Sequence, residues 1–247
     1  NRVIGLPVAI RLALAAAREL QNGEVCFVGI GNPSDAALLA KHSRAPELTL
    51  IFESGVVGSN PISKPPLSTG SPSVAEKATM ITDGLAVFSE LQAGRIDVGL
   101  LSAAQVDLFG NLNSTVIGSY NQPKIRMVGS GGAHDIACLV KRLIILMPHD
   151  PRRFLEKVDF ITSPGLSDRR SDLKLPPGPV SLITERARFS FESGTAALSA
   201  TMPGYSEEDA VEGLSWKVKK TSDFASIEKF GKKELEAARS CLQYLFN

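Results

Sequence analysis

The stretch LTLIF at residues 48–52 carries no charge and is followed at once by Glu53, Ser54 and Gly55. Five unbroken apolar-type positions are too few for a helix and fit an interior strand covered on both faces, as in a parallel sheet. Comparable runs stand at 25–28 (VCFV), 96–102 (IDVGLLS), 124–128 (KIRMV) and 143–147 (LIILM), most of them ending in a polar or glycine-rich loop. Helical patterns separate them. VAIRLALAAAREL (8–20) is apolar all round except for Arg11, Arg18 and Glu19, as expected of a helix lying on a sheet. Further helices are predicted over 34–40, with Ser34 as N-cap, over 74–91, and over 229–245 at the end of the chain.

This alternation predicts an α/β fold: an open, mostly parallel sheet flanked by helices, with ligand sites gathered at the carboxyl ends of the strands. After Gly165 the composition shifts. DRRSDLKLPPGP is polar and proline-rich, and the segment that follows alternates as an antiparallel strand pair does. The expectation is one domain over 1–247, with a core at about 1–165 and a smaller antiparallel β element plus terminal helix at about 166–247. The Pro-, Ser- and Gly-rich stretch 60–73 reads as an exposed loop just beyond Glu53, where it would shape a substrate entrance.

Charge narrows the function. With 27 Lys plus Arg against 26 Asp plus Glu, the chain offers no basic field for nucleic acid or an anionic membrane. Three scattered cysteines and three scattered histidines, without CxxC or HxxxH spacing, argue against a disulfide framework and against an all-protein metal site. No apolar stretch approaches the ~20 residues that span a bilayer, so a soluble, cytoplasmic protein is expected.

The tetrapeptide Phe52-Glu53-Ser54-Gly55 recurs as Phe191-Glu192-Ser193-Gly194. Charged and apolar residues alternate before Glu192, so that copy reads as a hairpin turn with a solvated carboxylate. Before Glu53 the run is buried in character, which puts a carboxylate at the rim of an interior strand. Such a group is costly unless hydrogen-bonded or paired, and a backbone cap, an arginine partner or a functional role would each account for it.

Glycine-bearing loops follow the other strands: GIGNP (29–33), QVDLFGNLN (105–113) and GSGGAHD (129–135). Glycines there let backbone N–H groups approach a ligand without an intervening Cβ. On this ground Gly29 and Gly31 are candidate cofactor-binding residues, and Gln105 and Asn113 join them as residues lining one of these loops, although the Asp-Leu-Phe-Gly-Asn stretch between them also reads as a plain turn. The dinucleotide fingerprint is incomplete, and neither a GxxxxGK[ST] loop nor a GxSxG elbow occurs. His134 beside Asp135 is read as structural, and Asp150-Pro151 as a helix cap and first turn.

Glu53-Ser54-Gly55 at a strand end, AAQVDLFGNLNST (103–115), Lys124 followed by GSGGA (129–133), and RRFLEKVDFITSPG (152–165) together resemble the B (beta) subunit of family I CoA-transferases, most closely glutaconate CoA-transferase. The resemblance runs from the first helix to about Gly165. It implies the open α/β fold shared with ribose-5-phosphate isomerase and glucosamine-6-phosphate deaminase. It further implies an A (alpha) subunit as partner in an α2β2 or larger assembly, acyl-CoA and carboxylate substrates, and coenzyme A as cosubstrate with no permanently bound cofactor. Glu53 occupies the place of the family's nucleophilic glutamate, and Gly131 and Gly132 that of its glycine-rich segment near the oxyanion site.

The function expected is therefore CoA transfer from an acyl-CoA to a carboxylic acid, a dicarboxylate such as glutaconate among the candidates, through a glutamyl-CoA thioester on Glu53. The alternative is an acyl-CoA hydrolase or lyase that uses Glu53 as a base. A non-catalytic sensor on the same scaffold is a third class.

Overall fold

The computed structural model describes residues 5–60 and 68–246. The chain opens with α1 (Val8–Ala17), β1 (Val25–Val28), α2 (Asn32–Ser43), β2 (Thr49–Phe52), β3 (Val56–Val57), β4 (Met80–Ile81), α3 (Gly84–Gln92) and β5 (Val98–Leu101). Two short hairpin partners, β6 (Gln105–Asp107) with β7 (Leu112–Asn113) and β8 (Val116–Gly118) with β9 (Pro123–Arg126), precede α4 (Ala133–Leu139) and β10 (Arg142–Leu146). Then come β11 (Phe154–Leu155), α5 (Asp168–Asp172), β12 (Pro179–Ile183), β13 (Ala187–Ser190), β14 (Ala197–Thr201), α6 (Glu207–Val211), β15 (Lys220–Ser226) and α7 (Lys232–Cys241).

Ten strands form one sheet in the order β15-β14-β13-β12-β10-β5-β1-β2-β3-β4. Its centre, β12-β10-β5-β1-β2, is parallel throughout. Successive residues of a strand point to opposite faces. Thus Cys26, Val28, Leu50 and Phe52 pack under α1, α2 and α7, while Phe27 and Ile51 pack with Val87 and Leu91 of α3 and Ile136 of α4. Burial on both sides explains why β1 and β2 show no polar alternation. A fully buried side chain of this size contributes roughly 1.5–3 kcal/mol, so the centre of the sheet is a rigid platform for whatever its rim carries.

One packing detail aims α4 at the site. A Cβ on Gly99 of β5 would stand 2.7 Å from Ile136 Cγ2 and 3.0 Å from Val140 Cγ1, so the bare glycine lets α4 lie close against the sheet. The start of α4 is thereby brought to the carboxyl edge near β2.

Several sequence expectations shift. Helix α2 begins at Asn32 behind Gly31, whose φ of +82° makes the turn, and the Ser34 hydroxyl donates to the Gly29 carbonyl from inside the first turn rather than capping the helix. The helix expected over 74–91 divides into a short turn Pro72–Ala75, edge strand β4 and helix α3, because the Asp83 carboxylate accepts from Ala86 N–H and sets the helix start there. Residues 105–113, expected as a loop, contain β6 and β7. The strand expected at 124–128 stands outside the main sheet, where Pro123–Arg126 pairs with β8 in an exposed ribbon. The terminal helix starts at Lys232 and ends at Cys241, followed by a single turn over Gln243–Leu245. The antiparallel strands of the last third join the main sheet, since β12 pairs in parallel with β10.

Candidate functional site

Phe52 and Val56 are partners across the β2–β3 hairpin, leaving Glu53, Ser54 and Gly55 as its three-residue loop. Gly55 N–H donates to the Phe52 carbonyl at 3.0 Å, and Gly55 has φ +99°. A positive φ at the last residue of such a loop is what glycine supplies at little cost. A Cβ at this place would come within 2.5 Å of the Thr82 backbone. The turn thus holds Glu53 at the carboxyl end of an interior strand.

Among the described residues two donors reach its carboxylate. Gly132 N–H, just before α4, donates to Oε2 at 3.2 Å, and the Thr69 hydroxyl donates to Oε1 at 3.2 Å. Both bonds are longer than the usual values for their type, and an ionised carboxylate has about four lone-pair sites. The group is oriented but keeps acceptor capacity, and among the described residues no ion pair reaches it. It stands in a cleft of about 470 Å³ lined also by Ser54, Gly70, Phe88, Gly131 and Asp135. The Ser54 hydroxyl is enclosed there without a hydrogen-bond partner among the described residues. Phe88, 5.4 Å from Phe27 between ring centroids, presses on Gly132 from the side of α3.

Glu53, Gly131 and Gly132, selected from the sequence, therefore share one cleft. The other candidates do not line it. Gly29 N–H is engaged with the Leu100 carbonyl at 3.3 Å, and Gly31 starts α2. Gln105 and Asn113 are buried against each other: Asn113 Nδ2 donates to Gln105 Oε1 and the Val116 carbonyl at 2.6 Å each, while its Oδ1 accepts from Thr115 and Val116 N–H. Gln105 Nε2 donates to Asp159. With every side-chain donor and acceptor of Asn113 engaged, the pair braces the β6–β7 hairpin, and Asn113 keeps no free group for the cofactor contact expected of it. The His134 ring lies between the Thr162 carbonyl and the Cys138 sulfur. Asp150 caps a single turn over Pro151–Arg153, and hydrogen bonds from Arg152 hold its carboxyl down at about 2.

The sequence reading missed Phe88, Thr69 and Asp135 as cleft residues. Thr69 and Gly70 fall in the loop expected at an entrance, whose residues 61–67 lie outside the described ones. Phe88 carried no local signal, since its position depends on α3 packing beside α4. A larger hollow of about 820 Å³ lies between Phe109, Pro179 and Arg188, with Glu192 at its edge. Three of its charged residues are paired within the chain, Glu19 with Arg188 at 2.9 Å and Arg142 with Glu24 at 2.6 Å.

Comparison with known proteins supplies the family. Residues 10–173 match the coenzyme A transferase family model. The chain is 44% identical over 236 residues to the beta subunit of the 3-oxoadipate CoA-transferase of Pseudomonas knackmussii, covering 93% of this chain and 90% of the relative. It is 35% identical over 216 residues to the beta subunit of the glutaconate CoA-transferase of Acidaminococcus fermentans, covering 83% and 80%. The crystal structure of the latter organism's glutaconate CoA-transferase superposes with a TM-score of 0.85 at 31% identity, over 94% of this chain and 93% of that one. The chain belongs to the coenzyme A transferase family and is a transferase that uses coenzyme A as cosubstrate. No described helix is long and apolar enough to cross a membrane.

Proposed function

We propose that this chain is the beta subunit of a two-subunit CoA-transferase that moves CoA between carboxylic acids by way of a glutamyl-CoA thioester on Glu53. The observation that carries the reading is a carboxylate held by one N–H and one O–H, with open lone pairs, in a cleft beside a glycine pair. In water a carboxylate is a feeble nucleophile, but one aligned against a thioester carbonyl gains most of what it needs from proximity and orientation.

Glu53 attacks the acyl carbon and expels CoA thiolate, giving an acyl–glutamyl anhydride. The thiolate then attacks Cδ of Glu53, the acyl group leaves as a carboxylate, and CoA remains on the enzyme as a thioester. An acceptor acid runs the two steps in reverse. No proton is consumed, which fits a cleft whose ionisable residues, among the described ones, are the carboxylates Glu53 and Asp135. The first tetrahedral oxyanion forms on the substrate's oxygen, where the amides around Gly131 and Gly132 are the donors at hand.

The substrates proposed are dicarboxylic acids of the kind that name the relatives, 3-oxoadipate or glutaconate. The partner is an alpha subunit in an α2β2 or larger complex, working in a reducing cytoplasm that suits three unpaired cysteines. Intact-mass measurement of the co-expressed complex incubated with acyl-CoA tests the mechanism. CoA retained on this subunit, and lost in Glu53→Ala, is the expected result. Release of free CoA at full rate without an acceptor acid and without any adduct would instead point to a hydrolase.

A further inference from the structure

The two donors on Glu53 are not equivalent, and the reaction makes different demands on them. Once Oε2 becomes the bridging atom of an anhydride it loses its charge, and Gly132 N–H is released to the substrate oxygen. Oε1 stays with Glu53 as its carbonyl oxygen through anhydride and thioester alike. We propose that Thr69 is a catalytic residue whose hydroxyl receives the oxyanion that forms on Oε1 each time Cδ of Glu53 is attacked. This rests on the glutamyl-CoA reading given above and goes beyond it by assigning a donor to the second tetrahedral intermediate.

The electron balance runs through Oε1. The thiolate lone pair makes the S–Cδ bond as the Cδ–Oε1 π pair moves onto Oε1. When that pair returns, the Cδ–Oε2 bond breaks and Oε2 departs within the released carboxylate. The negative charge begins on sulfur, resides on Oε1 at the intermediate and ends on the leaving acid. A donor on Oε1 therefore stabilises the intermediate more than the states on either side, which is the condition for a catalytic effect.

The surroundings of Thr69 fit a fixed donor rather than a passing contact. Ser68 N–H donates to Ser71 Oγ, Gly70 N–H to Ser68 Oγ, and Ser71 N–H to the Ser68 carbonyl, so the tip that carries Thr69 is closed by its own hydrogen bonds. Below it, Val74 is fully buried and its carbonyl accepts from the Ser59 hydroxyl. Thr69 Oγ1 is 3.2 Å from Oε1 in the resting state, a long bond for O–H···O. A donor poised there shortens its bond as charge accumulates, instead of being at its best in the ground state.

Thr69→Val, Thr69→Ser and Glu53→Ala in the assembled complex test the assignment. Loss of one oxyanion donor lowers turnover by about 10²–10³ in acyl-transfer enzymes, and Thr69→Val is expected to lower kcat on that scale with little change in KM for acyl-CoA. The rate at which CoA appears on Glu53 falls in parallel. The stalled anhydride reacts with water instead, so acid and free CoA released without acceptor rise relative to transfer. Thr69→Ser, which keeps the hydroxyl, stays close to wild type. Thr69 is half-exposed on a surface loop, so assembly and melting are expected to be unaffected. Wild-type adduct formation in Thr69→Val overturns the proposal, as does a Thr69→Ser enzyme as slow as Thr69→Val. Absence of a CoA adduct in the wild type would instead refute the glutamyl-CoA reading itself.

Discussion

A Cβ on Gly132 would stand 2.8 Å from Oε2 of Glu53 and 2.5 Å from Phe88 Cζ. The nucleophile and the first amide before α4 thus share a space that admits no side chain. The backbone of Gly132 is helical, with φ −81°, so alanine is conformationally acceptable and the obstacle is steric alone. Phe88 is backed by Phe27, which leaves Glu53 as the group that moves.

Gly132→Ala is therefore expected to keep the fold and lose turnover, by about 10²-fold if the amide–carboxylate alignment is what fails. Gly131→Ala is the contrast. Its Cβ would lie at an ordinary 3.8 Å from Oε2, but φ is +49°. Left-handed backbone costs an L-residue roughly 1–2 kcal/mol, so this variant loses stability more than activity. Steady-state rates and urea midpoints for both complexes check the crossover.

The repeated tetrapeptide gives an internal control. Gly55 N–H donates to Phe52 O at 3.0 Å and Gly194 N–H to Phe191 O at 2.9 Å, and both glycines have positive φ, +99° and +86°. The same four residues make the same turn. Around Gly55, however, a Cβ would strike the Thr82 backbone at 2.5 Å, whereas nothing lies within 4 Å of one on Gly194. Gly194→Ala is expected to cost only the backbone strain, roughly 1 kcal/mol, and to leave activity intact. Gly55→Ala adds displacement of β4 and the Glu53 loop, with a larger loss of stability and a collapse of transfer. Equal effects in the two variants would contradict this account.

These turns also show how far sequence alone reaches. The interior strands β1, β2, β5 and β10, the carboxylate at the end of β2 and the glycines before α4 were legible because each is a local pattern: uninterrupted apolar runs, then turn residues. The exposed copy at Glu192 was legible from a different local pattern, charged and apolar residues alternating before the same turn residues. What stayed hidden depends on contacts distant in sequence. Phe88 reaches Gly132 only because α3 and α4 lie side by side, and Gln105 and Asn113 satisfy each other across a hairpin that reads as a polar loop. The 124–128 segment misled because its apolar residues are an exposed ribbon, a case where β-propensity does not report burial.

Arg170 is almost fully buried, and its hydrogen bonds run to carbonyls: those of Gly165, Pro176, Ala137 and Pro164. It ties the end of the 152–165 segment to α4, on which the Gly132 amide depends. Burial lowers its pKa, yet an arginine stays charged. Arg170→Met strands several carbonyls at once and is expected to cost about 3–5 kcal/mol. Arg170→Lys keeps the charge without the planar fork and recovers only part of it. Urea unfolding of the three complexes measures the order, and a methionine variant as stable as wild type would remove Arg170 as a brace.

Asp35 supplies a pH dependence. It lies buried in the first turn of α2, and burial pushes its carboxyl up to about 6 although the Tyr244 hydroxyl donates to Oδ1. An unfolded aspartate titrates near ~3.9, so between the two values the folded protein holds a proton that the unfolded chain has released. The sign follows: this group's contribution is complete below about pH 4 and is lost as the pH rises through about 6, leaving a cost of roughly 3 kcal/mol at neutral pH. Asp35→Asn keeps an oxygen for Tyr244 and cannot ionise. It is expected to raise the urea midpoint at pH 7.5, with the advantage shrinking steadily towards pH 4. A gap that does not change with pH would show that Asp35 is already charged, and accommodated, in the folded state.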